Sequence, residues 1–171
     1  VPTTSVAITA GADDVGIVTG ALADADVTDD TSPTISGTLG GSTDGSDVET
    51  GGSIRVYDDT TYLGDATVVV TAGGQSTWSY TDGRTLSDGD TPSYTVRVTD
   101  AAGNEGTASA SFGLTIDTVA PTTSVAITAV TDSVGIYTTD LADGDTTDDQ
   151  DLVISGTLGG STDGSDVETG G

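Results

Sequence analysis

At 171 residues the chain is sized for one domain or a little more, and its 28 acidic residues face only three basic ones, Arg55, Arg84 and Arg97, for a formal net charge of −25. That balance excludes nucleic acid as a partner, because phosphate binding needs a basic surface, and it disfavours an anionic membrane unless cations bridge the two. Cysteine, histidine and lysine are absent, which removes disulfides, zinc sites, catalytic triads, thiol chemistry and Schiff bases from this chain.

Apolar residues fall in short β-branched runs, and none approaches the length of a membrane helix. Residues 4–9 alternate polar and apolar as a half-buried strand does. An acidic, glycine-bearing stretch follows, holding a brief apolar run at residues 15–18. Pro33-Thr-Ile-Ser-Gly-Thr-Leu39 reads as a second strand with its proline at the start, where a missing N–H is tolerated. Residues 40–52 form a long polar loop, and Ser53-Ile-Arg-Val-Tyr57 alternates again before stopping at Asp58-Asp59. Tyr62-Leu63 and residues 65–71 read as two strands parted by Gly64, and Gly73-Gly74 turns the chain. Thr77-Trp-Ser-Tyr80 sets Trp78 and Tyr80 on one face. Asp88-Gly89 marks a turn. Tyr94-Thr-Val-Arg-Val98 and residues 107–116 close the series, split by a turn at residues 100–104.

Seven to nine strands with turns about every ten residues predict an all-β, immunoglobulin-like antiparallel β-sandwich. The expected core is Val6, Ile8, Ile35, Leu39, Ile54, Val56, Leu63, Val69, Trp78, Tyr80, Tyr94, Val96, Val98, Phe112, Leu114 and Ile116. It is lean for a domain of this size.

The chain also repeats itself. Pro121-Thr-Thr-Ser-Val-Ala-Ile-Thr-Ala129 copies Pro2-Thr-Thr-Ser-Val-Ala-Ile-Thr-Ala10, and residues 36–52 recur unchanged at 155–171. A fixed offset of 119 residues is a domain-sized period, far above that of a solenoid. The expectation is a complete repeat at residues 1–119 and an incomplete second copy at 120–171 holding the first strands only, in a beads-on-a-string arrangement. Residues 53–171 would supply the same strand set as a circular permutant, but the boundary at Asp117-Thr-Val-Ala-Pro121 favours the first division.

Five segments occur in a telling order: Asp24-Ala-Asp-Val-Thr-Asp-Asp-Thr-Ser-Pro-Thr-Ile-Ser-Gly-Thr38, Ile54-Arg-Val-Tyr-Asp58, Trp78-Ser-Tyr80, Tyr94-Thr-Val-Arg-Val-Thr-Asp-Ala-Ala-Gly-Asn104 and Ile116-Asp-Thr-Val-Ala-Pro121. Together they resemble the bacterial immunoglobulin-like repeats of giant biofilm and RTX-type adhesins. Residues 40–52 depart from that pattern, which usually has a short turn there. The resemblance implies a secreted, type-I-exported extracellular stalk whose repeats bind calcium at their junctions. It also implies that neighbouring repeats are its partners, while other domains of the protein bind the host cell or surface ligand.

Candidate calcium ligands are Asp13, Asp24, Asp26, Asp29 and Asp30, with Asp14 alongside, and in the second copy Asp132, Asp143, Asp145, Asp148 and Asp149. Calcium takes six to eight oxygens from carboxylates and loop carbonyls, and an Asp-x-Asp-x-x-Asp loop can aim several at one point. The loop is not an EF-hand, since Asp29 replaces the glycine at position six and no glutamate stands at position twelve. Asp117 and Asp100 are expected to meet at the joint. Asp44, Asp47 and Glu49 sit in the glycine-rich loop and read as solvated. Two rivals stand beside the calcium-stiffened stalk: a glycan- or cell-binding module using residues 40–52, and an acidic surface-layer or halophilic wall protein. No catalytic constellation is visible. Paired aspartates could serve a glycosidase, but nothing suggests a cleft, and Trp78 reads as core rather than as a sugar platform.

Overall fold

A computed structural model describes residues 1–40, 52–69, 76–121, 123–136 and 138–159. It divides into two compact units, Val1–Val119 and Ala120–Gly171. Among the described residues there are strands and turns and no helix.

The first unit holds ten strands: β1 Val6–Asp13, β2 Gly20–Leu22, β3 Asp26–Thr28, β4 Thr34–Leu39, β5 Ser53–Asp58, β6 Thr61–Asp65, β7 Thr67–Val69, β8 Thr77–Thr81, β9 Ser93–Thr99 and β10 Phe112–Ile116. They form two five-stranded sheets, ordered β2-β1-β4-β8-β7 and β3-β10-β9-β5-β6. All pairings are antiparallel except β3 with β10, which run parallel. Alternation in the sequence becomes alternation in burial, since successive strand side chains face opposite sides of a sheet. β4 and β10 alternate throughout, and in β9 Tyr94, Val96 and Val98 all turn inward. Ile35, Leu39 and Trp78 from one sheet meet Ile54, Val56, Tyr94, Val96, Val98, Phe112 and Leu114 from the other in a single core.

One close approach fixes the register of β1 on β4. The pairing slips between Ile8 and Ala10, opposite Gly37. A Cβ on Gly37 would lie 1.8 Å from the Ala7 carbonyl oxygen and 2.7 Å from Trp78. Only glycine lets the β1 backbone and the indole approach from the two sides.

Several boundaries differ from expectation. β1 runs on to Asp13, because β2 pairs with its second half through Gly11, Ala12 and Asp13. β6 continues through Gly64, and the break falls at Ala66, whose N–H donates to the Ile54 carbonyl at 2.8 Å. Of residues 107–116 only Phe112–Ile116 is a strand; the stretch before it returns along β9 on isolated bonds such as Ser109 N–H to the Val96 carbonyl, 2.9 Å. Val69 is 52 % exposed, not core, because it points away from the other sheet on the edge strand β7. Ile8, Leu63 and Tyr80 pack at the margin, and Leu22 and Leu86 join the buried set. The expected loop at 40–52 (save Gly40 and Gly52), Val70, Thr71 and the Gly73-Gly74 turn lie outside the described residues.

β9 defines two poles of this unit. Beside its Thr99 end lie the turn at residues 100–104 and the start of the chain: Val1 N is 3.7 Å from an Asp100 carboxylate oxygen, and a Cβ on Gly106 would lie 3.1 Å from the Pro2 carbonyl oxygen. Beyond its Ser93 end the chain leaves. There Ile116 N–H donates to the Asp90 carbonyl (2.9 Å), Asp117 N–H to the Thr28 carbonyl (2.9 Å) and Thr118 N–H to the Asp88 carboxylate (2.9 Å). Seven residues of strand, roughly 20 Å at 3.3 Å per residue, separate these near and far poles.

The second unit holds β11 Val125–Thr131 and β12 Val153–Leu158, paired with the same register slip as β1 and β4. Most apolar residues of its two strands are exposed, though Val130 is half-buried. Val125 is 77 % exposed where Val6 is 8 %, and Ile154 is 63 % exposed where Ile35 is 0 %.

Candidate functional site

The predicted ligands fall into separate places. Asp13 and Asp30 are buried and belong to one hydrogen-bonded chain at the far pole. Asp13 Oδ1 accepts Val15 N–H at 2.9 Å, and its Oδ2 accepts the Thr28 hydroxyl at 2.6 Å. Thr28 Oγ1 in turn accepts Asp30 N–H at 3.1 Å, and Asp30 Oδ1 accepts Ser32 N–H at 2.8 Å. Asp29 lies against Gly16, whose φ of 76° leaves its Cβ position filled by the Asp29 carboxylate, 2.1 Å away. Asp24 and Asp26 face another way. Asp26 Oδ2 closes its own turn on Ala23 N–H at 2.7 Å, and Asp24 Oδ1 accepts Gly113 N–H from β10 at 2.7 Å.

The second unit repeats the pattern. Asp132 accepts Val134 N–H (3.0 Å) and the Thr147 hydroxyl (2.7 Å), while Asp149 accepts Asp151 N–H (2.8 Å). Asp145 closes a turn on Ala142 N–H at 2.8 Å, and Asp148 lies against Gly135 as Asp29 does against Gly16. Asp13, Asp30, Asp132 and Asp149 act as turn acceptors for the N–H two residues on, the local role aspartate often plays. The spacing Asp30-Thr-Ser32 was the available signal.

Asp100 and Asp117 do not meet. Asp100 sits at the near pole, where Oδ1 accepts the N–H of Ala102 (3.0 Å) and Asn104 (2.8 Å) and Oδ2 accepts the Asn104 amide (2.9 Å). Those Asn104 and Ala102 donors hold it below the usual carboxylate range. Asp117 lies at the far pole beside Thr28, with Oδ1 accepting Val119 N–H at 3.1 Å. The expected meeting fails because β10 leaves antiparallel to β9, so the turn after β9 and the exit of β10 are at opposite ends. Calcium's preference for hard oxygen donors suits this residue set. Even so, among the described residues no three carboxylates are assembled into a group that could hold a metal ion.

The matching carboxyls Asp30 and Asp149 shift in opposite directions, burial leading at the first and backbone donors at the second. Burial pushes the Asp30 carboxyl up, and the negative charges of Asp14 and Asp13 add to it against the lowering N–H groups of Ser32 and Asp14. In the second copy Ser133 replaces Asp14, and its N–H (2.8 Å) and hydroxyl (2.9 Å) both donate to Asp149 Oδ2, holding that carboxyl down. A carboxyl raised in the folded state favours folding on the acid side, and that contribution is lost as pH rises through the folded value. Asp14→Ser should therefore stabilise the first unit at neutral pH by about 1 kcal/mol, roughly 4 °C in melting temperature. The gain should vanish in acid, where Asp30 is protonated. Thermal melts at pH 7 and pH 3 check this.

The sequence reading missed a second polar centre. Asp82 is fully buried just past β8 and receives Arg84 Nε at 3.0 Å, Arg84 Nη2 at 2.7 Å and the Tyr94 hydroxyl at 2.8 Å. Arg84 Nη1 reaches Asp58 Oδ2 at 2.8 Å, and Asp58 Oδ1 accepts Ser93 N–H at 2.8 Å. Burial would push the Asp82 carboxyl up, but Arg84 and Tyr94 outweigh it and hold it below the ordinary value. Burial and the Asp82 bond push the Tyr94 hydroxyl far up, so it stays a donor. The group ties β8 of one sheet to β5 and β9 of the other. Arg55 and Arg97 are likewise engaged, both facing Glu105 at 3.4 and 3.7 Å, and Tyr57 also donates to Glu105. Each basic side chain is thus paired within the first unit.

Two sheets in this order, with a core of alternating residues and one parallel pairing near the exit, define an immunoglobulin-like sandwich. A model of the bacterial Ig-like domain matches residues 2–118, and the chain belongs to that family. No curated protein matches the chain.

Proposed function

We propose that this chain is a non-enzymatic spacer segment of a secreted bacterial surface adhesin. It works outside the cell, strung between neighbouring repeats, and holds other, ligand-binding parts of the protein away from the surface. The observation that supports this reading most is the placement of the first unit's two ends. The chain comes in at the near pole, by Asp100 and Gly106, and leaves at the far pole, by Asp88 and Thr28. A module with its ends at opposite poles adds its full length to a string, and one with adjacent ends adds almost none. Every arginine of the module is paired with a carboxylate of the same unit, so the large acidic excess stays uncompensated and keeps such strings apart by charge repulsion.

The second part of the proposal is that calcium stiffens the string through the acidic loops and joints. One sample tests both parts: a protein of two consecutive copies of residues 1–119, measured by solution scattering and thermal melting with calcium or with chelator. The spacer reading expects a maximum dimension about twice that of one copy, and a collapsed pair would overturn it. The calcium reading expects a stabilisation of about 2.7 kcal/mol at a hundredfold excess over Kd. Superimposable melting curves in chelator and calcium would overturn that part alone.

A further inference from the structure

The outer face of the sheet β3-β10-β9-β5-β6 gathers polar and aromatic groups that the core does not use. Alternation in β5 sends Ile54 and Val56 inward and turns Arg55 and Tyr57 out. Cross-strand pairing then builds two rows: Asp65, Arg55 and Arg97 stand opposite one another, and Tyr62 stands opposite Tyr57. Two of the three basic side chains of a chain with net charge −25 thus sit side by side, although like charges directly opposite across strands repel. Glu105 lies against both, 3.4 Å from Arg55 Nη1 and 3.7 Å from Arg97 Nε. These contacts are loose beside those of Arg84, which reaches Asp82 at 2.7 Å and Asp58 at 2.8 Å.

The Arg55 guanidinium is held more by an aromatic ring than by hydrogen bonds. Its Cζ lies 5.2 Å from the Tyr62 ring centroid, while its Nε is buried with no partner, a loss that stacking on the ring offsets. Tyr62 is fixed in turn: its ring meets Tyr57 at 5.7 Å, and its hydroxyl donates to Asp65 Oδ1 at 2.9 Å. It nevertheless stays 49 % exposed. Among the described residues no ion pair joins Arg55 to Asp65, its neighbour in the row. Guanidinium donors and a carboxylate acceptor therefore flank an exposed ring without satisfying each other.

We propose that this face binds an uncharged polysaccharide, one pyranose ring stacking on Tyr62 while its adjacent hydroxyls bridge Arg55 and Asp65. The face of a tyrosine ring is negative and the C–H groups of a pyranose are weakly positive, which suits stacking. A hydroxyl both accepts and donates, so neighbouring hydroxyls take a guanidinium N–H and give a proton to the carboxylate. Charge decides against other polymers. Arg55 and Arg97 against Asp65 and Glu105 leave the face without excess charge, while the acidic chain as a whole repels a polyanion such as a uronate polymer. An open face of this kind binds weakly, with Kd on the order of 1 mM, and consecutive copies gain by avidity. The inference stands apart from the spacer reading, in which recognition lies elsewhere in the protein.

The test titrates the isotope-labelled full 171-residue chain with hexasaccharides of glucose, mannose and N-acetylglucosamine, and with hexagalacturonate as the acidic counterpart, and follows the amide resonances. At least one neutral hexasaccharide should give saturable shifts centred on β5, β6 and β9, and hexagalacturonate should give none. Tyr62→Ala should weaken binding roughly tenfold or more, whereas Tyr62→Phe, which keeps the ring, should cost no more than about threefold. Arg55→Gln leaves the ring in place and should also weaken binding roughly tenfold, so it reads the same site if Tyr62→Ala disturbs β6. The proposal is overturned if no neutral hexasaccharide gives saturable shifts, or if the shifts centre outside this face. Undiminished binding by the Tyr62→Ala and Arg55→Gln chains, or hexagalacturonate binding as tightly as the neutral sugars, overturns it equally.

Discussion

Asp82→Ala should lower the stability of the first unit by about 3 kcal/mol, which for a domain of this size is on the order of 10 °C in melting temperature. Asp82 is fully buried, and its loss leaves the Tyr94 hydroxyl, also buried, without its acceptor. The value sits at the lower end for breaking a buried pair because the Arg84 side chain is 38 % exposed and can rehydrate while keeping Asp58. The pH dependence follows from direction. The folded Asp82 carboxyl is held below its unfolded value, so its contribution is full above about pH 4 and is lost as pH falls through the folded value. The wild-type chain should thus lose stability in acid more steeply than Asp82→Ala, and the two melting temperatures should converge. Calorimetric melts from pH 7 down to pH 2 read this directly, and parallel curves would refute the assignment.

Gly37→Ala should be at least as damaging, by about 3 kcal/mol or more, although it adds a single methyl group to an apolar strand. Overpacking commonly costs about 1–3 kcal/mol when side chains can shift. Here the nearest obstacle is backbone: the Ala7 carbonyl oxygen lies 1.8 Å from the new Cβ, with the Trp78 ring 2.7 Å away on the other side. Relief requires moving β1 off β4 at the register slip, where Ile8 pairs with Gly37 and Ala10 with Ser36. Denaturant unfolding followed by Trp78 fluorescence should show a midpoint well below wild type. An unchanged midpoint would mean that the slip absorbs the methyl group.

Much of the sandwich was legible because its central strands alternate cleanly. Ile54 and Val56, Tyr94, Val96 and Val98, and Phe112, Leu114 and Ile116 all face inward as their spacing requires. What escaped reading lacks a local pattern. β2 and β3 are three residues each, set in an acid-rich run, and they exist only because β1 and β10 offer them an edge. Leu22, flanked by two alanines, and Leu86, among polar neighbours, are lone large apolar residues buried by tertiary context. The Asp82 centre draws on positions 58, 84 and 94, a set that no short motif joins. The acidic residues were visible as a group, but their division between turn acceptors and strand anchors depends on which N–H each one meets in the folded chain.

The opposite placement of the two poles also sets how this domain answers a mechanical load. A pull on the chain enters through β1 at Val6, in one sheet, and leaves through β10 at Ile116, in the other, with both strands lying along the line of force. The bonds joining β1 to β4 and β10 to β3 then bear tension side by side and must shear together, whereas a hairpin pulled from one end unzips bond by bond. Because the two loaded strands belong to different sheets, the force crosses the core, and the Asp82–Arg84–Asp58 bridge spans the plane along which the halves would slide.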